Sequence, residues 1–250
     1  MRLINTRTLK LDQFLGRAPP YAILSHTWGN EEVSLQDFCS ETRRARMKGF
    51  AKIQAACQEA ERHRLSHIWV DTCCIDKTSS AELGEAINSM YKWYQSSAVC
   101  FAYLEDVPVA ESKTNITTSA SKSLDPAFAK SRWFTRGWTL QELIAPQRLH
   151  FYDLAWNKVD EKSKITAELQ AITGIDEMVL QGAPPEEVSV GRRMSWAASR
   201  QTTRQEDVAY SLFGIFNVNL PLIYGEGEKA FLRLQEEILK QIDDHTLFAW

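Results

Sequence analysis

Between residues 21 and 152 the chain repeats one alternation, a short apolar run followed by a stretch of helical period, until four apolar runs have been laid down. The first is Tyr21-Ala22-Ile23-Leu24-Ser25, entered through Pro19-Pro20 and left through His26-Thr27-Trp28-Gly29, which reads as a buried strand ending in a polar loop. From Met47 to Arg64 the small or apolar residues Met47, Phe50, Ile53, Ala56, Cys57 and Ala60 recur at three- and four-residue steps, the buried stripe of a helix. His67-Ile68-Trp69-Val70-Asp71 is the second strand. Ser79-Ser80-Ala81-Glu82 has the form of a capping box, and Leu83, Ala86, Ile87, Met90, Trp93 and Tyr94 continue from it with helical period. Ala98–Leu104 is the third strand, Arg136–Ala145 a helix stopped by Pro146, and Leu149–Tyr152 the fourth strand. Residues 106 to about 127, rich in Ser, Thr, Ala and Lys without periodicity, read as a long mobile loop.

Such alternation builds a parallel sheet with helices on both faces, and right-handed crossovers make it a doubly wound, flavodoxin-like α/β fold. After about residue 155 the pattern changes to helices alone: Glu161–Ile172, a second from the capping box Thr203-Arg204-Gln205-Glu206, and a third over Glu226–Ile242. The expected organisation is an α/β core over 1–155 and a helical extension over 156–250 packed on it. With 250 residues, 44% hydrophobic and 24% charged, the chain has the composition of a soluble globular protein. A formal net charge of -3 gives no overall field for nucleic acid or anionic lipid, and no apolar run approaches the roughly 20 residues of a membrane span. Five cysteines without regular spacing, and no hydrophobic leader, point to a reducing, cytoplasmic setting.

In an open α/β sheet, ligands bind beyond the carboxyl ends of the strands, where neighbouring connections part. That rule selects Ser25, His26, Thr27 and Trp28 after the first strand, Asp71, Cys73, Cys74 and Asp76 at the second, Glu105 and Asp106 at the third, and Arg136, Trp138 and Glu142 on the helix that follows. Trp138 and Glu142 are four residues apart and share a helix face, either as an aromatic wall beside a carboxylate or as a core Trp with a solvated Glu. His63, His67, Cys73 and Cys74 do not make a zinc pattern, and no metal is expected. Gly225-Glu226-Gly227 fits a helix-entry turn better than a phosphate loop, and Arg192, Arg193, Arg200 and Arg204 read either as an anion site or as a solvated helix face.

The phrases Tyr-Ala-Ile-Leu-Ser-His-Thr-Trp-Gly (21–29), Trp-Val-Asp-Thr-Cys-Cys-Ile-Asp (69–76) and Arg-Gly-Trp-Thr-Leu-Gln-Glu-Leu-Ile-Ala-Pro (136–146) together resemble the fungal heterokaryon-incompatibility (HET) domain. The resemblance continues through 192–197, 207–216 and 222–231. It implies a cell-death effector acting when genetically different hyphae fuse, at the front of a longer chain with further regulatory domains or a partner receptor. The apolar end Leu247-Phe248-Ala249-Trp250 fits a fragment of such a chain. HET domains in turn look like distant relatives of Toll/interleukin-1 receptor (TIR) domains, some of which cleave NAD with a glutamate in a Trp-Cys-x-x-Glu-Leu phrase on the helix after the third strand. Trp138-Thr139-Leu140-Gln141-Glu142-Leu143 matches that phrase with Thr139 in place of Cys. The resemblance thus implies Glu142 as the catalytic residue of an NAD glycohydrolase, with Ser25, His26, Thr27, Trp28, Asp71, Arg136 and Trp138 around NAD as substrate, no cofactor, and self-association into an oligomer. Two other readings are an oligomerising, non-enzymatic TIR-like adaptor and a Mg²⁺-dependent nuclease or nucleotide-binding regulator built on Asp71, Asp76, Glu105 and Asp106.

Overall fold

The computed structural model describes residues 1–109 and 124–249. The loop expected across 106–127 lies for the most part outside the described residues; at its far end, Pro126–Ala129 form one helical turn capped by Asp125. In chain order, the elements that frame the sheet are β1 (Arg2–Asn5), β2 (Leu11–Gln13), β3 (Ala22–His26), α1 (Lys48–Arg62), β4 (His67–Trp69), α2 (Ser80–Ser96), β5 (Val99–Tyr103), α3 (Thr139–Ile144), β6 (Leu149–Tyr152) and β7 (Lys158–Glu161). They form one seven-stranded sheet in the order β2-β1-β4-β3-β5-β6-β7. The four strands expected from the apolar runs are its centre. β4, β3, β5 and β6 are mutually parallel, with Ala22 opposite Ile68 and Val99, and Cys100 opposite Leu149. This is the 2-1-3-4 order of a flavodoxin-like α/β sheet.

Side chains two apart on a strand share a face, so β5 and β6 sort their neighbours. Phe101, His150 and Tyr152 face α1, where the Tyr152 hydroxyl donates to Glu59 Oε1 (2.7 Å) and His63 lies against both Phe101 and His150. Phe151 points to the opposite face, into Phe128, Trp133 and Phe134. That second face also carries α2 and α3, and the hydroxyl of Tyr94 on α2 donates to the Leu24 carbonyl under β3 (3.1 Å). The sheet is therefore covered on both sides, which explains why β3 and β5 are buried at every position.

Three strands were not expected. β1 and β2 pair antiparallel with each other and β1 with β4, while β7 closes the other edge antiparallel to β6. Each has only three or four residues, and the polar Leu-Asp-Gln and Lys-Val-Asp-Glu carry no alternation to read. β7 also corrects the expectation of helices alone after residue 155. Beyond it lie α4 (Thr166–Thr173), α5 (Val190–Ser195), α6 (Phe213–Phe216) and α7 (Lys229–Gln241), whose buried residues join those of the sheet in a single apolar cluster.

Both capping boxes differ from expectation. Ser79 does cap α2, accepting from the Glu82 amide (3.3 Å), but the Glu82 carboxylate turns to the Asp76 amide and to Arg2. Glu206 belongs to no capping box. Gly225 and Gly227, at φ +104° and +61°, aim their amides at Glu206 Oε1 (2.7 and 3.1 Å), so the helix-entry turn read from Gly225-Glu226-Gly227 encloses an internal carboxylate.

Candidate functional site

Ser25 sits one residue before the end of β3 and faces α3. That helix is only six residues long, and all six side chains are buried. Its interior position comes from the chain on either side: the 3-10 turn Arg132–Thr135 places Trp133 under the sheet, and Thr139 Oγ1 ties the helix start to the carbonyls of Trp133 and Arg136. Glu142 consequently points inward with 7% of its surface exposed, and its Oε2 accepts from the Ser25 hydroxyl. Ser25 Oγ in turn accepts from Trp133 Nε1 (2.8 Å), so a donor chain Trp133→Ser25→Glu142 runs through the core. Of the two readings weighed for Glu142, the solvated one is therefore wrong.

Burial pushes the Glu142 carboxyl up to about 8; the Ser25 bond, Tyr94 and Arg136 favour its ionised form, and the charge of Asp71 disfavours it. The acid is poised near neutrality. Removing the Ser25 hydroxyl with Ser25→Ala takes a donor from the carboxylate and orphans the Trp133 N–H. The expected result is a loss of about 1–3 kcal/mol in chemical denaturation, with Glu142 titrating higher still by ¹³C NMR.

The other expected residues divide between two places. His26, Trp28 and Asp71 meet on the α1 side of β3: Asp71 is bound by His26 Nε2 (3.0 Å) and Trp28 Nε1 (2.8 Å), and Lys77 stands 3.7 Å from it. Burial alone would raise the Asp71 pKa, but Lys77 and the bonds from His26 and Trp28 outweigh it and hold the group well below the usual carboxylate range. Lys77 Nζ also lies 3.7 Å from the centre of the Trp28 ring, covering one of its faces. Thr27 Oγ1 donates to Glu105 (3.4 Å). Near Glu142, Arg136 is half-buried, attracts the Glu142 carboxylate and reaches Thr203 Oγ1 (3.4 Å). Trp138, also half-buried, hydrogen-bonds Asp207 of the C-terminal half.

Two basic residues near Glu142 have roles other than those read from the sequence, where Arg200 is part of a basic run and Lys162 is not singled out. Arg200 Nη1 donates to the Arg136 carbonyl and to Thr139 Oγ1 (2.9 Å each), while its Nη2 is shielded from solvent and has no partner among the described residues. Burial lowers Arg200 to about 10, against the attraction of Glu142. Lys162, buried after β7, donates to the carbonyls of Leu143 (3.2 Å), Ile144 (3.4 Å) and Pro146, which end the Glu142 helix. Burial lowers its ammonium to about 8. A basic group over the last carbonyls of a helix satisfies acceptors the helix leaves open.

The Arg192–Arg204 run is no anion cluster. Arg192 pairs with Asp176, Arg193 is buried on the Ile215 carbonyl and the Phe216 ring, Arg200 goes to α3, and Arg204 lies over Tyr224. The acidic set is likewise dispersed: Asp76 accepts from Thr78 and Gln36, and Glu105 and Asp106 bind Arg132. Among the described residues no group of three or more His, Cys, Asp or Glu side chains is arranged to hold a metal, and no helix is long and apolar enough to cross a membrane.

Comparison with known proteins supplies the family. Over 235 residues the chain is 49% identical to vegetative incompatibility protein HET-E-1 of Podospora anserina, a match covering 93% of this chain and 17% of that protein. The chain thus spans about a sixth of the length of this relative. Residues 229–250 match a domain of unknown function (DUF8212), and no solved structure gives a significant match. Residues 21–127 match the family described as heterokaryon incompatibility protein (HET), so the chain carries a HET domain, and the strand-end segments around Ser25 and Asp71 lie within the matched part.

Proposed function

We propose that this chain is the effector module of a fungal non-self recognition protein and that it cleaves NAD to nicotinamide and ADP-ribose through Glu142. The observation that carries the reading is the buried Glu142 carboxyl, poised near neutrality beneath the carboxyl end of β3 and bound by Ser25. The 49% identity to part of a vegetative incompatibility protein supports the biological role. In the reaction the bond between nicotinamide and ribose breaks, nicotinamide leaves as a neutral base with the bonding electrons, and water adds to the ribose with loss of a proton. The leaving group is already cationic and needs no acid. The site must supply negative charge beside the oxocarbenium-like transition state, and a carboxylate out of water does so strongly. In this reading Ser25 positions Glu142, Arg136 takes a phosphate, Trp28 or Trp138 stacks on a flat ring, and His26, Thr27 and Asp71 line the sugar path.

The assay is nicotinamide release from NAD by the full chain, at concentrations where light scattering shows oligomers and with a divalent-ion chelator present. Release that survives the chelator supports the hydrolase and opposes the Mg²⁺-dependent nuclease. A second reading has one observation in its favour: the cleft of about 680 Å³ beside Trp28 is not lined by Glu142. If Glu142 serves only to fix α3 against β3, the chain is a non-enzymatic adaptor that acts by self-association. Absence of release from the oligomer selects that reading.

A further inference from the structure

A six-residue helix does not hold its own shape in water, so the placement of Glu142 has to be imposed on α3 from outside. Lys162 does this at the helix end. At the helix start that role falls to a strap from the C-terminal half, residues 200–203. Gln201 lies beside Arg136 as a single parallel bridge: its amide donates to the Thr135 carbonyl (2.7 Å) and its carbonyl accepts from the Gly137 amide (2.8 Å). Gly137 allows this approach, since a Cβ there would fall 2.5 Å from Thr202 Cγ2. Beside the bridge, Arg136 reaches Thr203 and Trp138 hydrogen-bonds Asp207. Gln201 and Thr203 are exposed, whereas the Arg200 guanidinium turns inward, with Nη2 shielded from solvent and Nη1 shared between the Arg136 carbonyl and Thr139 Oγ1. Thr139 and Glu142 are three residues apart on α3 and share a helix face, which sets this guanidinium one turn from the carboxylate.

We propose that Arg200 is a positioning residue for Glu142: through this one side chain the C-terminal half pins the start of α3 and sets a permanent cation beside the carboxylate. The groups around Glu142 come from several elements. Ser25 of β3 donates to it, Tyr94 of α2 and Arg136 of the preceding turn favour its ionised form, and Asp71 beyond β4 opposes ionisation. Cys100 of β5 is a thiol that burial keeps neutral. Arg200 adds a second cation to Arg136, and Glu142 in return favours its charged form. The ionised carboxylate is the form that acts in NAD cleavage, so the C-terminal half sets how much of the protein is competent at neutral pH. That kinetic consequence rests on the reading of Glu142 as the reacting group, whereas the effect on its charge is read without turnover.

The test is a ¹³C NMR titration of the Glu142 carboxyl in the full chain, its signal identified by its loss in Glu142→Gln, alongside the pH profile of nicotinamide release. Arg200→Met and Arg200→Gln remove the charge and are expected to move the Glu142 titration upward from about 8 by about one pH unit. Arg200→Lys keeps the charge and is expected to restore most of the wild-type value. Arg192→Met removes a cation of the same half that is paired with Asp176, and should leave the titration unchanged. In the rate profile, Arg200→Met is expected to lower kcat/KM about tenfold at pH 7 and to recover at pH 10, because the ionised fraction is what changes. A purely structural residue would lower both alike. The proposal is overturned if a folded Arg200→Met or Arg200→Gln variant titrates Glu142 as wild type does. It is equally overturned if Arg200→Lys shifts the titration as far as Arg200→Met, or if Arg192→Met gives the same shift. A titration that shifts as expected in a chain that releases no nicotinamide supports the role of Arg200 and counts against NAD cleavage alone.

Discussion

Glu142→Gln is expected to lower kcat/KM for nicotinamide release by about a thousandfold, equivalent to about 4 kcal/mol of transition-state stabilisation. Gln has nearly the shape of the acid and can still accept from Ser25, so the fold should survive and the missing element is charge alone. An internal control follows from linkage. The Glu142 pKa is raised from 4.5 to about 8 in the folded chain, so the folded state holds a proton that the unfolded state releases. Its contribution is fully present below pH 4.5 and is lost as pH rises through about 8. Wild type should therefore lose stability between neutral and mildly alkaline pH, and the Gln variant should lose less. Denaturation midpoints at pH 6 and pH 9 check this sign without reference to activity. A variant that is inactive and also unfolded would show neither property.

The second large effect concerns the join between the two halves of the chain. Gly214, in α6, lies so close to α2 that a Cβ there would fall 2.1 Å from Tyr91 Cβ and 2.4 Å from its Cγ. Tyr91 Cβ is fixed by the α2 backbone and cannot swing aside, so the helices must separate. Gly214→Ala is expected to cost about 2–4 kcal/mol and to lower Tm by roughly 5–15 °C. At Gly84, near the start of α2, a Cβ would meet no atom of another element within 4 Å among the described residues, and Gly84→Ala should instead stabilise by about 0.5–1 kcal/mol through the unfolded chain. Because α6 belongs to the C-terminal half and α2 to the sheet, wild type should melt in one transition and Gly214→Ala should lower it as a whole. Equal melting of the two Ala variants would show that the halves do not pack as described.

The centre of the fold was legible because its strands are buried on both faces and appear as uninterrupted apolar runs between turn residues, as at Ala22–His26 and Val99–Tyr103. The edges were not. β2 and β7 are short and half-buried at most positions, and they exist because a neighbouring strand offers open hydrogen bonds. In the site, the Trp-x-x-x-Glu phrase located Glu142, yet its burial could not be read from pattern, since a glutamate on a helix is solvated by default. The same default left Arg200 in a basic run read as an anion site or a solvated face and passed over Lys162, whose roles depend on which carbonyls the fold brings to them. Glu206 shows the converse: its spacing from Thr203 imitated a helix start, but the two left-handed glycines at 225 and 227 bind it more completely.

The most direct test of Glu142 as the reacting carboxylate is the pH profile of kcat/KM for nicotinamide release, measured between pH 5 and pH 10 under oligomer-forming conditions. Since the ionised form acts and burial places its ionisation near 8, the rate should rise about tenfold per pH unit to a break at about 8 and then level, and the break should vanish in Glu142→Gln. A rate already level from pH 5 upward, as a carboxylate with the ordinary value of 4.5 would give, or a profile that Glu142→Gln leaves unchanged, would contradict the account.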